Sequence, residues 1–215
     1  MFVRVLERAM RIHGVHAVVA AIPDEPEDDR LAALATATGI EVFRGSSSDV
    51  LSRYVGAAHA AQASVVMRIT ADCPLLSPSV SGRVLEAFGT GSSDYASNTI
   101  RRTWPQGLDT EVVRTTALER ADRETRDATD REHVTRYVWR HPDRFALRSV
   151  EHEGPDLSAN RWTVDEPADL QFAQAIYDEL WDGNRDFDLQ DVLDLLDRRP
   201  ELTAINRTVR QRHVE

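Results

Sequence analysis

Apolar positions recur at helical spacing from the first residues of the chain. Phe2, Leu6, Met10 and His13 fall on one face, with Arg4, Glu7, Arg8 and Arg11 between them. This predicts an amphipathic helix starting almost at Met1. The continuous apolar run 15–22 then predicts a strand buried on both faces, closed by Pro23, Asp24 and Pro26. Next comes a helix over 27–38, with Asp28 and Asp29 near its start and Gly39 as its stop. A strand over 40–43 follows, then the small-residue loop Gly45-Ser46-Ser47-Ser48-Asp49 and a helix over 50–61. The run 64–69 is a third buried strand, and 78–88 a helix. Strands alternating with helices predict a parallel, doubly wound α/β sheet over this part.

After Gly91 the rhythm changes. Short strands are predicted over 94–98, 108–113, 145–150 and 161–164, with a polar loop over 101–107 and a helix over 129–139. A strong helix over 167–180 starts at Pro167, a residue suited to a helix first turn. A last helix covers 189–196, and the tail from Arg207 is polar.

The 215 residues suit one large domain spanning 1–215. All 26 basic residues are arginine, so no lysine is available as a phosphate ligand or Schiff-base nucleophile. A formal net charge of −10 argues against a general nucleic-acid binder. The single cysteine, Cys73, excludes an internal disulfide and fits a reducing compartment. The chain shows no signal-peptide pattern and no apolar run long enough to span a bilayer. The expectation is a soluble cytoplasmic protein with no membrane partner.

Two aspartates follow predicted strands directly. Asp72 should project at the carboxyl edge of the sheet, where ligands of open α/β sheets bind and where a carboxylate can hold a magnesium ion. It reads equally well as a cap or turn residue. Asp165 ends the run RWTVD just before Pro167, a position that favours a helix N-cap over a metal ligand. Arg68 sits in an otherwise apolar strand, either lining a cleft or held in a structural ion pair. The Gly45–Asp49 loop offers close backbone approach to a ligand. His133 stands at an expected helix start. No HExxH, CxxC, GxSxG or P-loop pattern occurs, which removes zincin, zinc-ribbon, serine-hydrolase and Walker-ATPase readings.

Taken in order, several segments resemble one family. They are Pro26-Glu27-Asp28-Asp29, Val42-Phe43-Arg44-Gly45-Ser46, Asp49-Val50-Leu51-Ser52-Arg53-Tyr54 and Arg68-Ile69-Thr70-Ala71-Asp72-Cys73-Pro74. Ser97-Asn98-Thr99, Pro105-Gln106-Gly107-Leu108-Asp109, Arg131-Glu132-His133-Val134-Thr135 and Arg161-Trp162-Thr163-Val164-Asp165-Glu166-Pro167 continue the set. The chain is similar to the cytidylyltransferases of spore-coat polysaccharide biosynthesis, themselves similar to CMP-KDO and acylneuraminate synthetases. The resemblance implies a Rossmann-like, three-layer mixed sheet of the nucleotide-diphosphosugar-transferase type. It implies transfer from CTP to a sugar or sugar acid, giving CMP-sugar and pyrophosphate, with Mg2+. By the same resemblance Asp72 and Asp165 are metal ligands. Arg44, Gly45, Ser46 and Asp49 lie beside the cytidine with Arg68 nearby, and Asn98, Gln106, Asp109, His133 and Arg161 face the acceptor.

The family pattern also includes a strand and a loop of the form A-R-x-x-S-x-R-L-P-G-K ahead of the helix that is first here. Its arginine and lysine bind the triphosphate. The chain as written starts after that loop, so the expectation is an interrupted sheet and a shortened gene product without activity of its own. The competing expectations are a non-catalytic binding or partner protein, and a nucleotide-sugar glycosyltransferase. Asp72-Cys73-Pro74 departs from the D-x-D motif of the last. A homodimer is expected through 97–113, where Trp104, Leu108 and Val112 suggest an apolar surface.

Overall fold

A computed structural model of the chain describes residues 1–182 and 187–210. Helix α1 (Phe2–Ala9) buries Val5, Leu6, Arg8 and Ala9 on one face. Strand β1 (Val19–Pro23) occupies only the second half of the apolar run. Its partner β2 (Glu41–Gly45) is five residues long, which limits the ladder, and Val15 and Val18 instead pack around Ile12 and Leu76. Between them a 3₁₀ turn (Pro26–Asp28) leads into α2 (Asp29–Ala37). Helix α3 (Val50–Ala60), strand β3 (Val65–Arg68) and helix α4 (Pro78–Gly89) follow.

The second half adds β4 (Tyr95–Ser97), β5 (Glu111–Arg114) and β6 (Leu147–Ser149). Helix α5 (Thr115–Glu124) follows β5 directly and has no counterpart in the sequence reading. The helix expected over 129–139 is two short ones, α6 (Ala128–Glu132) and α7 (Arg136–Trp139). Val134 between them has a φ of 56°, which a continuing helix does not permit. Helices α8 (Pro167–Leu180) and α9 (Leu189–Arg198) and a 3₁₀ turn (Pro200–Ala204) close the described chain. Residues 211–215 of the polar tail lie outside the described residues.

The strands form two sheets. One is the parallel pair β1–β2, and the other has the order β3-β5-β4-β6. Strand β5 runs antiparallel to both β3 and β4, while β6 is parallel to β4. The sheet is thus mixed rather than all-parallel. It is also interrupted, since no ladder among the described residues joins β1 to β3. Helix α1 packs against both parts. Its Leu6 lies with Ala20 and Ile22 of β1, and its Ala9 lies with Leu76 and Met67 beside β3.

The expected strand over 161–164 is reduced to one parallel bridge between Gln106 and Arg161. The bridge is flanked by hydrogen bonds from Gln106 N to the Asn160 carbonyl (2.9 Å) and from Trp162 N to the Gln106 carbonyl (2.7 Å). Gly107 makes this approach possible: its φ is 97°, and a Cβ there would stand 2.5 Å from Thr163 N. Asn98 clamps the same hairpin, donating to the Leu108 carbonyl (2.7 Å) and accepting from Thr110 N (2.8 Å).

One expectation is overturned here. Trp104, Leu108 and Val112 are at most 1% exposed, filling the interior between the sheet and helices α4 and α8. The apolar surface on which the homodimer expectation stood is therefore core.

Gly107→Ala combines a left-handed backbone with a clash against backbone atoms. It should cost at least about 2 kcal/mol and lower the thermal midpoint by roughly 4–8 °C. A melting curve within about 1 °C of wild type would show that the 106–108 segment moves freely away from 161–163.

Candidate active site at the strand ends

The carboxyl end of β3 leads into Asp72. Its backbone carbonyl accepts from Val164 N at 2.8 Å, and its Oδ2 lies 3.3 Å from the Thr163 hydroxyl. Asp72 is thereby laid beside the segment that ends in Asp165. It does not cap α4, because Ser77 does, accepting from Val80 N at 3.2 Å. The cap expected of Asp165 is also absent. Glu166 and Asp169 form the capping box of α8, with Asp169 Oδ2 accepting from the backbone N–H of Asp165 and Glu166. Carboxylates three residues apart at a helix start satisfy each other's backbone donors, which leaves the Asp165 side chain free of the helix. That side chain is part-exposed and meets Arg161 at 2.7 Å.

Arg161 is an internal brace. Only 8% of its side chain is exposed, and it spans Asp165 and the fully buried Asp169, the latter at 2.8 Å. Asn206 adds donors to Asp169 Oδ1 (3.0 Å) and to the Arg161 carbonyl (2.9 Å). Burial pushes the Asp169 carboxyl up, but the Arg161 and Asn206 donors and two backbone N–H groups outweigh it and hold it below the usual range. Asp109 takes a two-pronged bond from Arg102, at 2.6 and 2.7 Å. Cys73 lies within reach of both Asp72 and Asp109. Burial raises its thiol well above the usual value, and the two carboxylates push it further.

Arg68 pairs with Glu111, its register partner on β5. Glu111 also accepts from the Tyr95 hydroxyl (2.6 Å) and from Thr135. The ion pair anticipated as one of two roles for Arg68 is therefore present. Glu111 went unnoticed in the sequence, although a carboxylate within the run LDTEVV signals a buried partner.

The Gly45–Asp49 loop lies at the carboxyl end of β2. Asp49 caps α3 by accepting from Ser52 N (3.0 Å), and Ser46 Oγ accepts from Asp49 N (3.0 Å). Arg44 is spoken for, donating to Asp29 (2.9 Å) and to the Glu25 carbonyl (2.8 Å). Asp49 meets Arg131 at 2.6 Å. His133 follows two residues later, half-buried at the end of α6 rather than at a helix start. The turn 131–135 thus ties the loop, through Arg131, to the Arg68–Glu111 pair, through Thr135.

The structure brings the candidates into two groups. Asp72, Gln106, Asp109, Arg161 and Asp165 gather around the 106–109 and 161–165 segments. Arg44 and Gly45 end β2, Ser46 and Asp49 follow in the loop, His133 lies on the turn, and Arg68 lies on β3, tied to that turn through Glu111 and Thr135. Asn98 acts on the backbone of the hairpin. Among the described residues no group of three or more His, Cys, Asp or Glu side chains is placed to hold a metal ion. A site here would rest on two carboxylates completed by substrate oxygens and water, the donor set that suits Mg2+.

The domain is an α/β fold with a mixed sheet, and solved structures share it. A cytidylyltransferase from Leptospira borgpetersenii superposes with a TM-score of 0.83 at 24% identity, covering 95% of this chain and 85% of that one. A CMP:2-keto-3-deoxy-manno-octonic acid synthetase complexed with CTP gives 0.61 at 14% identity, covering 83% and 87%. In sequence, the cytidylyltransferase family pattern matches residues 1–179. The chain is 32% identical over 213 residues to MJ1063 of Methanocaldococcus jannaschii, an uncharacterized protein, covering 96% of this chain and 84% of the relative. It is also 32% identical over 189 residues to the spore coat polysaccharide biosynthesis protein SpsF of Bacillus subtilis, covering 86% and 76%. The chain belongs to the cytidylyltransferase family, and its class is that of CTP-using nucleotidyltransferases.

The Asp169 brace predicts an acid dependence. A carboxyl held below its unfolded value contributes fully above the ordinary range near about pH 4, and that contribution fades as pH falls through the folded value. Asp169→Asn should cost about 1–3 kcal/mol at neutral pH, because Arg161 loses its buried counter-ion and keeps only the more exposed Asp165. It should also flatten the loss of stability below about pH 4. Denaturant midpoints at several pH values measure both, and an unchanged acid slope would remove Asp169 from the acid response.

Proposed function

We propose that the chain takes part in magnesium-dependent cytidylyl transfer from CTP to a sugar or sugar acid. An acceptor hydroxyl oxygen bonds to the α-phosphorus and loses its proton to solvent, the bond from the α-phosphorus to the bridging β-phosphate oxygen breaks, and pyrophosphate leaves with that electron pair. The observation that carries the reading is the seating of Asp72 against 163–165, with Asp165 released from capping duty. The names of two similar proteins support it: one is a polysaccharide-biosynthesis protein and one a CMP-sugar-acid synthetase seen with CTP.

In this reading Asp72 and Asp165 hold the Mg2+, which when bound neutralises charge on the phosphates. Arg161 fixes the direction of Asp165 and draws its own stability from Asp169. The Gly45–Asp49 loop borders the nucleoside, stiffened by the Ser46–Asp49 and Asp49–Ser52 bonds. Gln106, Asp109 and His133 stand on the acceptor side. Most of the work is positioning and charge neutralisation, since the substrate supplies both reacting oxygens.

Calorimetry with CTP, ATP and GTP, with and without Mg2+, tests this. CTP should bind best, and only with the metal at full strength. Asp72→Asn and Asp165→Asn should each remove the Mg2+ enhancement, by about tenfold or more, with melting temperatures near wild type. Tighter binding of ATP or GTP than CTP would sink the assignment. Pyrophosphate release across a panel of sugar acids, neutral sugars and amino sugars identifies the acceptor class.

A further inference from the structure

Among the arginines at the nucleotide-side loop, Arg53 is the one left without a counter-ion. Its side chain packs on Gly45, where a Cβ would stand 3.0 Å from Arg53 Cγ. One terminal nitrogen donates to the Ser46 carbonyl, and Nε is buried with no partner. The residue is only 9% exposed, and no carboxylate among the described residues lies within ion-pair distance. Its neighbours differ in having counter-ions: Arg44, whose Nε is likewise buried without a hydrogen bond, is matched by Asp29, and Arg131 by Asp49. A buried guanidinium without a carboxylate, and with an unmade hydrogen bond, is a standing cost. Such a group on α3, with its stem against the carboxyl end of β2, is placed to donate to a ligand.

The surroundings narrow the ligand. Asp24, Glu25, Asp28, Asp29 and Asp49 all lie at this end of the molecule, and Arg53 feels Asp28. An anionic phosphate would meet that acidic rim, whereas a neutral base would not. Arginine can only donate. Cytosine offers two adjacent acceptors, N3 and O2, while uracil carries a proton on N3 and repels a donor there.

We propose that Arg53 is the specificity-determining residue for the base, donating to the N3/O2 edge of cytosine bound against the Gly45–Ser46 loop and excluding uracil. This rests on the cytidylyl-transfer reading and adds to it the residue that chooses the nucleotide.

The experiment is calorimetry of the 215-residue chain with Mg2+ and three nucleotides: CTP, UTP and 3-deaza-CTP, which lacks the N3 acceptor. Both UTP and 3-deaza-CTP should bind about tenfold or more weakly than CTP. Arg53→Met, which keeps the stem and removes the donors, should bring CTP down to the level of UTP and leave UTP within about twofold. If Arg53→Met does not fold, Arg53→Leu takes its place with the same expectation, because 3-deaza-CTP alone reports a donor at N3 without naming the residue. Equal binding of CTP and UTP by the wild type overturns the proposal. So does 3-deaza-CTP binding as tightly as CTP, or an Arg53→Met chain that keeps the preference; in both, cytidylyl transfer still stands. Failure of the wild type to bind CTP overturns both readings together.

Discussion

Two sheets that share no ladder among the described residues are joined by packing, and helices α1 and α3 supply it. Leu6 of α1 packs on β1, while Ala9 and the following Ile12 pack beside β3 and Leu76. Arg8 fixes α1 in rotation. It is 2% exposed, donates to the carbonyls of Leu76 and Phe187, and lies over the Phe187 ring at 4.5 Å. Everything at the carboxyl ends of the strands depends on this alignment. The loop after β2 belongs to one sheet, and Asp72 follows a strand of the other.

Many polar groups near those strand ends are paired with other side chains. Arginine supplies the cation of the ion pairs, because the chain has no lysine. Its planar fork can hold two carboxylates at once, as Arg161 does with Asp165 and Asp169 and Arg131 with Asp49 and Asp122. These bridges fix the turns 131–135 and 161–165 in place without regular secondary structure. The arrangement is a rigid frame with two part-exposed aspartates at its edge.

Much of this frame was legible in the sequence because buried strands and amphipathic helices leave strong periodic marks. The bounds of α8 agree to the residue, since Pro167 starts it and its apolar stripe runs unbroken. Helix α5 escaped notice because it buries only a narrow stripe, Ala117, Leu118 and Ala121, within a charged segment. The break at Val134 left no mark, because nothing about a valine announces a positive φ. At the site, the strand-end positions of Asp72 and Asp165 could be read from local pattern. The partners could not: Glu111 for Arg68, Asp169 for Arg161 and Arg102 for Asp109 are tertiary facts. The reading of Trp104 as surface failed for the same reason, since a loop tryptophan looks alike in sequence whether it faces solvent or core.

Cys73 gives the molecule a built-in clock. The single thiol of the chain is 3% exposed, lies 3.5 Å from Asp72 Oδ1 and feels the charge of Asp109. Burial and both carboxylates keep it protonated, so in the closed state it is inert to alkylating reagents. Modification therefore waits on separation of the 72–74 segment from its cover. The rate at which a thiol reagent consumes the protein is then a direct readout of how often the 72–74 segment opens, on the same footing as amide exchange.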